Sequence, residues 1–236
     1  MMKGETEEKS PHKKINCLLS PEDCTAIFID HQPQMAFGVA SIDRQLLLNN
    51  VVALAKATQI FNVPAILTTV ESESFSGYIW PQLLDIFPGK KPIERSTMNA
   101  WEDDKFVAEV QKIGRKRLVM CALWTEVCLC LPVLSAREAG YEVYFVADAS
   151  GGTSVEVHQA ACQRMIQAGA VPVTWQQVML EWQRDWSNKK TYDAVVDLIR
   201  QYSGAYGFGV EYVKTMIYKK AQSLSKQESG GVTFRR

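Results

Sequence analysis

Residues 117–128 read RLVMCALWTEVC, an apolar run that ends in a polar turn and a cysteine. Its first seven residues show no polar alternation, which is typical of a β-strand buried on both faces. Residues 126–140, EVCLCLPVLSAREAG, have helical spacing, and we expect Pro132 to kink this helix or to lie near its first turns. Cys128 is therefore predicted to stand in the first turn of a helix that directly follows a buried strand.

The same order of strand and helix continues on both sides of this unit. Apolar runs predict further strands at 25–30, 63–69, 141–150 and 170–175. Three- and four-residue spacing predicts helices at 43–62, 103–114, 155–169, 176–186 and 191–202. Residues 70–101 are irregular apart from a short helix expected at 81–86, and excursions of this length often carry function. The alternation predicts an α/β protein whose mostly parallel sheet has helices on both faces.

The composition argues against several classes of protein. The 26 basic and 26 acidic residues cancel, so neither a nucleic acid nor a membrane surface is an expected partner, and RKR at 115–117 is interpreted as a solvated turn. No apolar run approaches the ~18–20 residues that span a bilayer, and residues 1–14 lack the apolar core of a signal peptide. We therefore expect a cytoplasmic protein. Its six cysteines, without a CxxC pair, are expected to be reduced and to hold no metal.

The two ends of the chain differ from its middle. Residues 1–16 are polar and are predicted to form a flexible arm, followed by one domain over 17–203. Residues 204–236 form an extension whose first part is rich in aromatic side chains. We expect that part to make an oligomer contact, because little of its own domain remains to cover it, and we expect the rest, from about residue 222, to be a disordered tail.

Two residues are candidates for chemistry because ligands bind outside the carboxyl ends of parallel strands. Cys128 follows one strand, where a helix N-terminus would favour the thiolate and backbone N–H groups could receive an oxyanion. Asp30 ends another strand. The residues alone leave alternatives open: Cys128 as a buried structural cysteine, and Asp30 as a strand-end cap, a phosphoryl-transfer acid or a metal ligand.

Six blocks in order along the chain resemble the isochorismatase-like cysteine hydrolases, and most closely their YcaC-like branch. These blocks are FIDHQ (28–32), PAILTT (64–69), IERSTMNAW (93–101), ALWTEVC (122–128), SAREAGYEVYFVADASGG (135–152) and QAGA (167–170). The resemblance covers about residues 21–187. It implies a three-layer α/β/α sandwich with a mainly parallel, six-stranded, Rossmann-like sheet, assembled as a homo-oligomer. No cofactor is expected, and no metal, because the metal-binding histidines of some family members have no counterpart here.

The same resemblance assigns roles to individual positions. Asp30, Arg95 and Cys128 take the places of the catalytic triad, with Lys90 and Lys91 as competitors for the basic place. The resemblance also implies a cis peptide between Leu123 and Trp124. The oxyanion hole then maps to the backbone N–H groups of Trp124 and Cys128.

The implied activity is hydrolysis of a small amide-type C–N bond through an acyl-thioester on Cys128. Phe37, Trp101 and Trp124 are candidate walls of the substrate pocket. Trp124 stands where the family usually has a small or aliphatic residue, so we expect it to crowd or reshape that pocket. The histidines of metal-dependent nicotinamidases have no counterpart, which argues against nicotinamide as the substrate. The alternatives are a catalytically silent scaffold or binding protein of the same fold, and a thiol redox sensor that uses Cys128 and Cys130.

Overall fold

The computed structural model describes residues 18–218. Its strands are β1 Cys24–Ile29, β2 Ala65–Val70, β3 Ile93–Arg95, β4 Arg117–Ala122, β5 Glu142–Val146 and β6 Val171–Val173. Its α-helices are α1 Pro33–Phe37, α2 Arg44–Ile60, α3 Pro81–Ile86, α4 Asp104–Ile113, α5 Cys130–Glu138, α6 Val155–Gln167, α7 Trp175–Gln183, α8 Lys189–Tyr202 and α9 Ala205–Tyr212. Short 3₁₀ turns occupy Ala100–Glu102 and Ala147–Ala149, and π-helical turns occupy Thr125–Leu129 and Val213–Tyr218.

The six strands form one sheet in the order β3-β2-β1-β4-β5-β6, and every neighbouring pair is parallel. Helices cover both faces, which confirms the predicted α/β/α sandwich. The chain runs outward from β1 to β3 on one side and then returns to β4 on the other. The topological switch point of the sheet therefore lies between β1 and β4, where open α/β sheets bind ligands.

The long irregular segment contains a strand that the sequence pattern did not indicate. The edge strand β3 has only three residues and is too short to show a period. It is held to β2 by a regular ladder and by the Thr68 hydroxyl, which donates to the carbonyl oxygen of Ile93 at 2.8 Å. The short helix expected at 81–86 is present as α3. Long-range pairing, rather than local periodicity, therefore creates the sixth strand.

The predicted helix over 126–140 is wrong in its first turns. Residues Thr125–Leu129 form a π-helical turn, and α5 begins only at Cys130, with Pro132 inside its first turn. Pro132 has no N–H to donate to the carbonyl oxygen of Cys128, four residues before it, so regular α-helical bonding does not extend back through Cys128. Cys128 consequently lies ahead of the α-helix and not within it.

The two ends of the chain and the basic run at 115–117 differ in how the structure describes them. The expected arm over 1–16 and the tail from 222 lie outside the described residues, while the aromatic part of the extension forms α9 and the following π turn. Among residues 18–218, no helix is both long and apolar enough to cross a membrane. The run at 115–117 is not simply solvated, because Arg115 donates to two backbone carbonyls and Arg117 pairs with Asp23 and Glu142.

Candidate active site

Asp30 follows β1 directly and is fully buried. Its backbone has a φ of 56°, a left-handed conformation that aspartate tolerates better than most residues and that turns the chain sharply at the strand end. Burial raises the pKa of this carboxyl to about 6, against the opposing influence of the Arg95 charge and of the Cys128 thiol. A carboxyl with such a pKa can accept a proton near neutral pH and release it again.

Arg95, the last residue of β3, reaches Asp30 across 65 positions of sequence. Its Nη2 donates to Oδ2 of Asp30 at 2.5 Å, and both side chains are fully inaccessible. Its Nη1 donates to the carbonyl oxygens of Thr97 and, at 3.5 Å, Met98. The competing lysines do not share this position, because Lys90 and Lys91 line a separate cleft together with residues of β2, β3 and α4. The guanidinium therefore neutralises a buried carboxylate.

Cys128 lies in the π turn that follows β4, and only 4% of its surface is exposed. Burial raises the pKa of its thiol, and the charge of Asp30 beside it raises that pKa further. Arg95 and the backbone N–H of Trp124, which hydrogen-bonds the sulfur, oppose this effect without reversing it. Burial and the charge of Asp30 therefore outweigh the positive groups that would favour a thiolate at this position.

The buried site thus brings Asp30, Arg95 and Cys128 together at the switch point of the sheet. Oδ2 of Asp30 binds Arg95, and the buried Oδ1 has no conventional hydrogen-bond partner among residues 18–218. The Cys128 thiol lies close enough to this carboxyl to lower its pKa, so the carboxyl is the nearest acceptor for the thiol proton. The site therefore pairs a thiol whose pKa is raised with a carboxyl whose pKa is about 6, and a proton can pass between them.

The turn that carries Cys128 is tied to the neighbouring segments by its backbone and by its polar side chains. The peptide bond between Leu123 and Trp124 is cis. The N–H of Thr125 donates to the carbonyl oxygen of Gly151 at 3.0 Å, and its hydroxyl lies 2.8 Å from Nδ1 of His158. Glu126 accepts from both the N–H and the hydroxyl of Thr153. These bonds hold the nucleophile turn against the loop that precedes α6.

Two further polar residues organise the other side of the site, and neither was assigned a role from the sequence. The Gln32 side chain bonds the N–H and carbonyl of Val70 and the carbonyl of Gly77, so it ties the chain after Asp30 to the loop after β2. Glu94 accepts from the hydroxyl of Thr69 and from the N–H and hydroxyl of Ser72. Only their positions beside Asp30 and Arg95 in the motifs could have indicated them.

The three residues expected to line the pocket take different places. Phe37, at the end of α1, is 69% exposed. Trp101 makes its ring contacts with Phe106 and Tyr141, at centroid distances of 6.0 and 5.2 Å. The indole of Trp124 is directed onto α1, where its Nε1 donates to the carbonyl oxygen of Met35 at 2.7 Å. Within residues 18–218, no three His, Cys, Asp or Glu side chains are grouped to hold a metal ion.

Comparisons with known proteins agree with this fold. A family model described as "Isochorismatase domain" matches residues 24–177. The chain is 38% identical over 171 residues to a probable hydrolase, YcaC, of Escherichia coli K12, which covers 72% of this chain and 82% of that protein.

Two solved YcaC structures superpose closely on the chain. One is YcaC from Pseudomonas aeruginosa with hexane-2,5-diol and covalent acrylamide, and the other is YcaC from Escherichia coli, described as an octameric hydrolase of unknown specificity. Each has a TM-score of 0.81 and 34% identity, covering 85% of this chain and 98% of the other. Nicotinamidase from Bacillus subtilis shares the fold, with a TM-score of 0.56 and 12% identity over 64% of this chain and 99% of that one. The chain belongs to the isochorismatase family of hydrolases and is of the YcaC type.

Proposed function

We propose that the protein is a cysteine hydrolase that cleaves a small amide-type C–N bond through an acyl-thioester on Cys128. The observation that carries this proposal is the buried carboxyl of Asp30, which lies between the guanidinium of Arg95 and the thiol of Cys128. A thiol becomes a strong nucleophile when a neighbouring base removes its proton. Asp30, with a pKa of about 6, is that base.

The first half of the reaction forms the thioester. Asp30 takes the proton of Cys128 as the sulfur attacks the carbonyl carbon of the substrate. The carbonyl oxygen becomes an oxyanion, which the backbone N–H groups of Trp124 and Cys128 stabilise. When this intermediate collapses, the C–N bond breaks and the proton held by Asp30 passes to the leaving amine.

The second half releases the acid product. Water attacks the thioester carbon while Asp30 again accepts a proton. Collapse of the second intermediate breaks the C–S bond, and the sulfur of Cys128 recovers its proton from Asp30. Arg95 does not carry protons, because guanidinium stays protonated in proteins; its charge keeps Asp30 ionised between these steps.

The covalent acrylamide in the Pseudomonas aeruginosa relative supports this chemistry. Acrylamide is an electrophilic alkene that combines with nucleophilic side chains, and it is itself a small primary amide. By similarity, we propose that the site over Cys128 admits small primary amides and related N-carbamoyl compounds.

The test is ammonia release from a panel of small primary amides, N-carbamoyl compounds and nicotinamide. We expect turnover of at least one small amide, and a fall of about 10⁴-fold in Cys128→Ser and Asp30→Asn. Acid quenching during turnover is expected to trap an acyl group on the peptide that contains Cys128, as seen by mass spectrometry.

Other results would support the competing functions. Full turnover by Cys128→Ser would disprove the mechanism. No turnover and no selectively reactive thiol would indicate a scaffold or binding protein. Reversible sensitivity to peroxide without amide turnover would indicate a redox sensor.

We also propose that the chain self-associates. The Escherichia coli relative is an octamer. In this chain, the segment that follows α8 exposes a row of large apolar side chains: Tyr206, Phe208, Tyr212, Met216, Ile217 and Tyr218. Exposed apolar patches of this kind commonly mark protein contacts, and a second copy of the chain is the occupant that the octameric relative supports.

A further inference from the structure

The indole of Trp124 occupies a notch that exists because residue 38 is glycine. A Cβ atom built on Gly38 would lie 2.6 Å from Cζ2 of Trp124 and 2.9 Å from Cε2 and Nε1, closer than real Cβ atoms approach their neighbours. The backbone of Gly38 has φ −77° and ψ −9°, which any L-residue adopts. Glycine is therefore required at this position by the indole and not by the backbone.

The same indole is also hydrogen-bonded to α1. Its Nε1 donates to the carbonyl oxygen of Met35 at 2.7 Å, and the Met35 side chain is buried. Helix α1 begins at Pro33, three residues after Asp30. The side chain of Trp124 is thus fastened to the helix that immediately follows the candidate base.

The backbone of Trp124 belongs to the other half of the site. Its N–H lies near the sulfur of Cys128 and acts to lower the pKa of that thiol. Its carbonyl oxygen accepts from the N–H groups of Val127 at 3.2 Å and Leu129 at 3.3 Å, which closes the π turn around Cys128. A single residue therefore connects the nucleophile turn with the segment that carries Asp30.

We propose that Trp124 is a positioning residue whose indole, seated in the notch at Gly38, braces the nucleophile turn against α1 and sets the separation between the Asp30 carboxyl and the Cys128 thiol. This inference rests on the proposed function, because it concerns the same acid–thiol pair. It gives the indole a role distinct from that of a pocket wall.

The rate of proton transfer falls steeply as the distance between donor and acceptor increases. A displacement of about 1 Å at a reacting pair can cost about 10²-fold in rate. With the brace intact, Asp30 removes the thiol proton. The rate of Cys128 alkylation should therefore rise with pH as Asp30 ionises near pH 6 and stay constant at higher pH. Without the brace, Cys128 should behave as an ordinary thiol, whose rate rises about tenfold per pH unit below its pKa.

The experiment measures the rate of Cys128 alkylation by acrylamide between pH 5 and 9, by mass spectrometry, in the full chain. The variants are Gly38→Ala, Trp124→Val, the double variant and Trp124→Phe. Gln34→Ala, which shortens an exposed side chain on the same helix, is the matched control. Thermal unfolding midpoints report separately on any loss of stability.

The proposal is supported if Gly38→Ala and Trp124→Val each lose the pH-independent part of the rate profile. Their Cys128 should also be alkylated at least about tenfold more slowly at pH 7. Adding Gly38→Ala to Trp124→Val does not lower the alkylation rate further, because the indole with which the new Cβ atom would clash is absent. Trp124→Phe keeps a ring in the notch and stays within about threefold of wild type, as does Gln34→Ala. If Gly38→Ala does not fold, the contrast between Trp124→Val and Trp124→Phe decides the question.

Two failures are distinguishable. If the wild-type protein itself has the profile of an ordinary thiol, the acid–thiol pair does not operate, and both the proposed function and the brace are overturned. If the wild type levels off but the folded Gly38→Ala or Trp124→Val protein does so equally, the brace alone is overturned. The brace is also overturned if Gly38→Ala lowers the alkylation rate by the same factor in the wild-type protein and in the Trp124→Val variant.

Discussion

The pKa values of Asp30 and Cys128 are both raised above their usual range, and burial is the leading cause for each. Arg95 supplies one positive charge to the same dry site. When the proton moves from the thiol to the carboxyl, one negative charge moves from oxygen to sulfur and the total charge beside the guanidinium is unchanged. In the proposed mechanism, the nucleophile therefore forms without adding a charge to the interior, which would be costly.

Arg95 is expected to control the pH at which the site works. Its charge lowers the pKa of Asp30, so Arg95→Met should raise that pKa above its present value of about 6 and leave Asp30 largely protonated at pH 7. Hydrolysis at pH 7 should then be lost, while Arg95→Lys keeps the charge and retains part of it. The measurement is kcat/KM from pH 5 to 9.

Lys91→Met, at an exposed position before β3, is the matched control and should match the wild-type profile. A fully active Arg95→Met protein would show that the basic member of the triad has been misassigned, and Lys90 and Lys91 would be tested next.

Cys130 offers a second comparison, between two thiols only two residues apart. It is 1% exposed within α5, and burial raises the pKa of its thiol. Cys130→Ser should leave hydrolysis within about twofold of wild type, and it should lower the free energy of unfolding by about 1–2 kcal/mol, because a hydroxyl replaces sulfur in an apolar place. Chemical denaturation and ammonia release check the two expectations. A loss of turnover as deep as that of Cys128→Ser would give Cys130 a role in the chemistry.

The edge strand β3 is the least regular of the elements that supply the site, and it carries Arg95. Its three residues pair with β2 alone, so side-chain bonds must add to the ladder. Glu94 provides them through Thr69 and Ser72, and thereby fastens the loop after β2 to the strand. The place of the guanidinium thus depends on a surface carboxylate next to it in sequence.

Glu94→Ala is expected to loosen this edge. It removes the acceptor of three hydrogen bonds and should cost about 1–3 kcal/mol of stability. The amide of Ser72 should exchange faster with solvent, and hydrolysis should fall without vanishing, because the Arg95–Asp30 pair remains. Hydrogen exchange by mass spectrometry resolves the segment. Glu109→Ala, which breaks only an exposed pair with Lys112, is the control and should change little; equal protection in both variants would contradict the proposed tie.

Across the whole molecule, the sheet order places Asp30 and Cys128 on adjacent central strands. In the register of β1 with β4, Ile29 lies opposite Ala122, so both strands end at the same level. The segments that follow them therefore meet at the switch point, beneath the loops from both halves of the fold. The aromatic segment after α8 lies at the end of the described chain and offers a separate surface for self-association.

Light scattering of the full chain at micromolar concentration is expected to give the mass of an oligomer. Phe208→Glu, at a side chain that is 77% exposed on α9, should shift the population toward smaller species, because it places a charge within an apolar contact. Lys112→Glu, an exposed charge reversal on α4, is the control. A wild-type monomer, or a Phe208→Glu protein with unchanged mass, would refute the contact at α9.

Much of the fold was predictable because its causes are local. The long buried strands β1, β2 and β4 appear as apolar runs, and α4 begins at the Asp103 cap and ends at Gly114 with a φ of 72°, close to the predicted 103–114. Asp30 and Cys128 were identifiable because each follows such a run. The resemblance of short motifs, and not periodicity, indicated Arg95 and the sixth strand.

Other features were decided only by the tertiary structure, because they depend on distances between residues that are far apart in the sequence. The Arg95–Asp30 bond joins positions 65 apart, and β3 exists through its pairing with β2. The direction of the Cys128 pKa shift is likewise set by tertiary structure, because desolvation and the charge of Asp30 depend on the packed environment. Backbone preference and burial pattern depend on neighbouring residues in the sequence. Desolvation and Coulomb interactions at the site depend on distant segments that only the folded chain brings together.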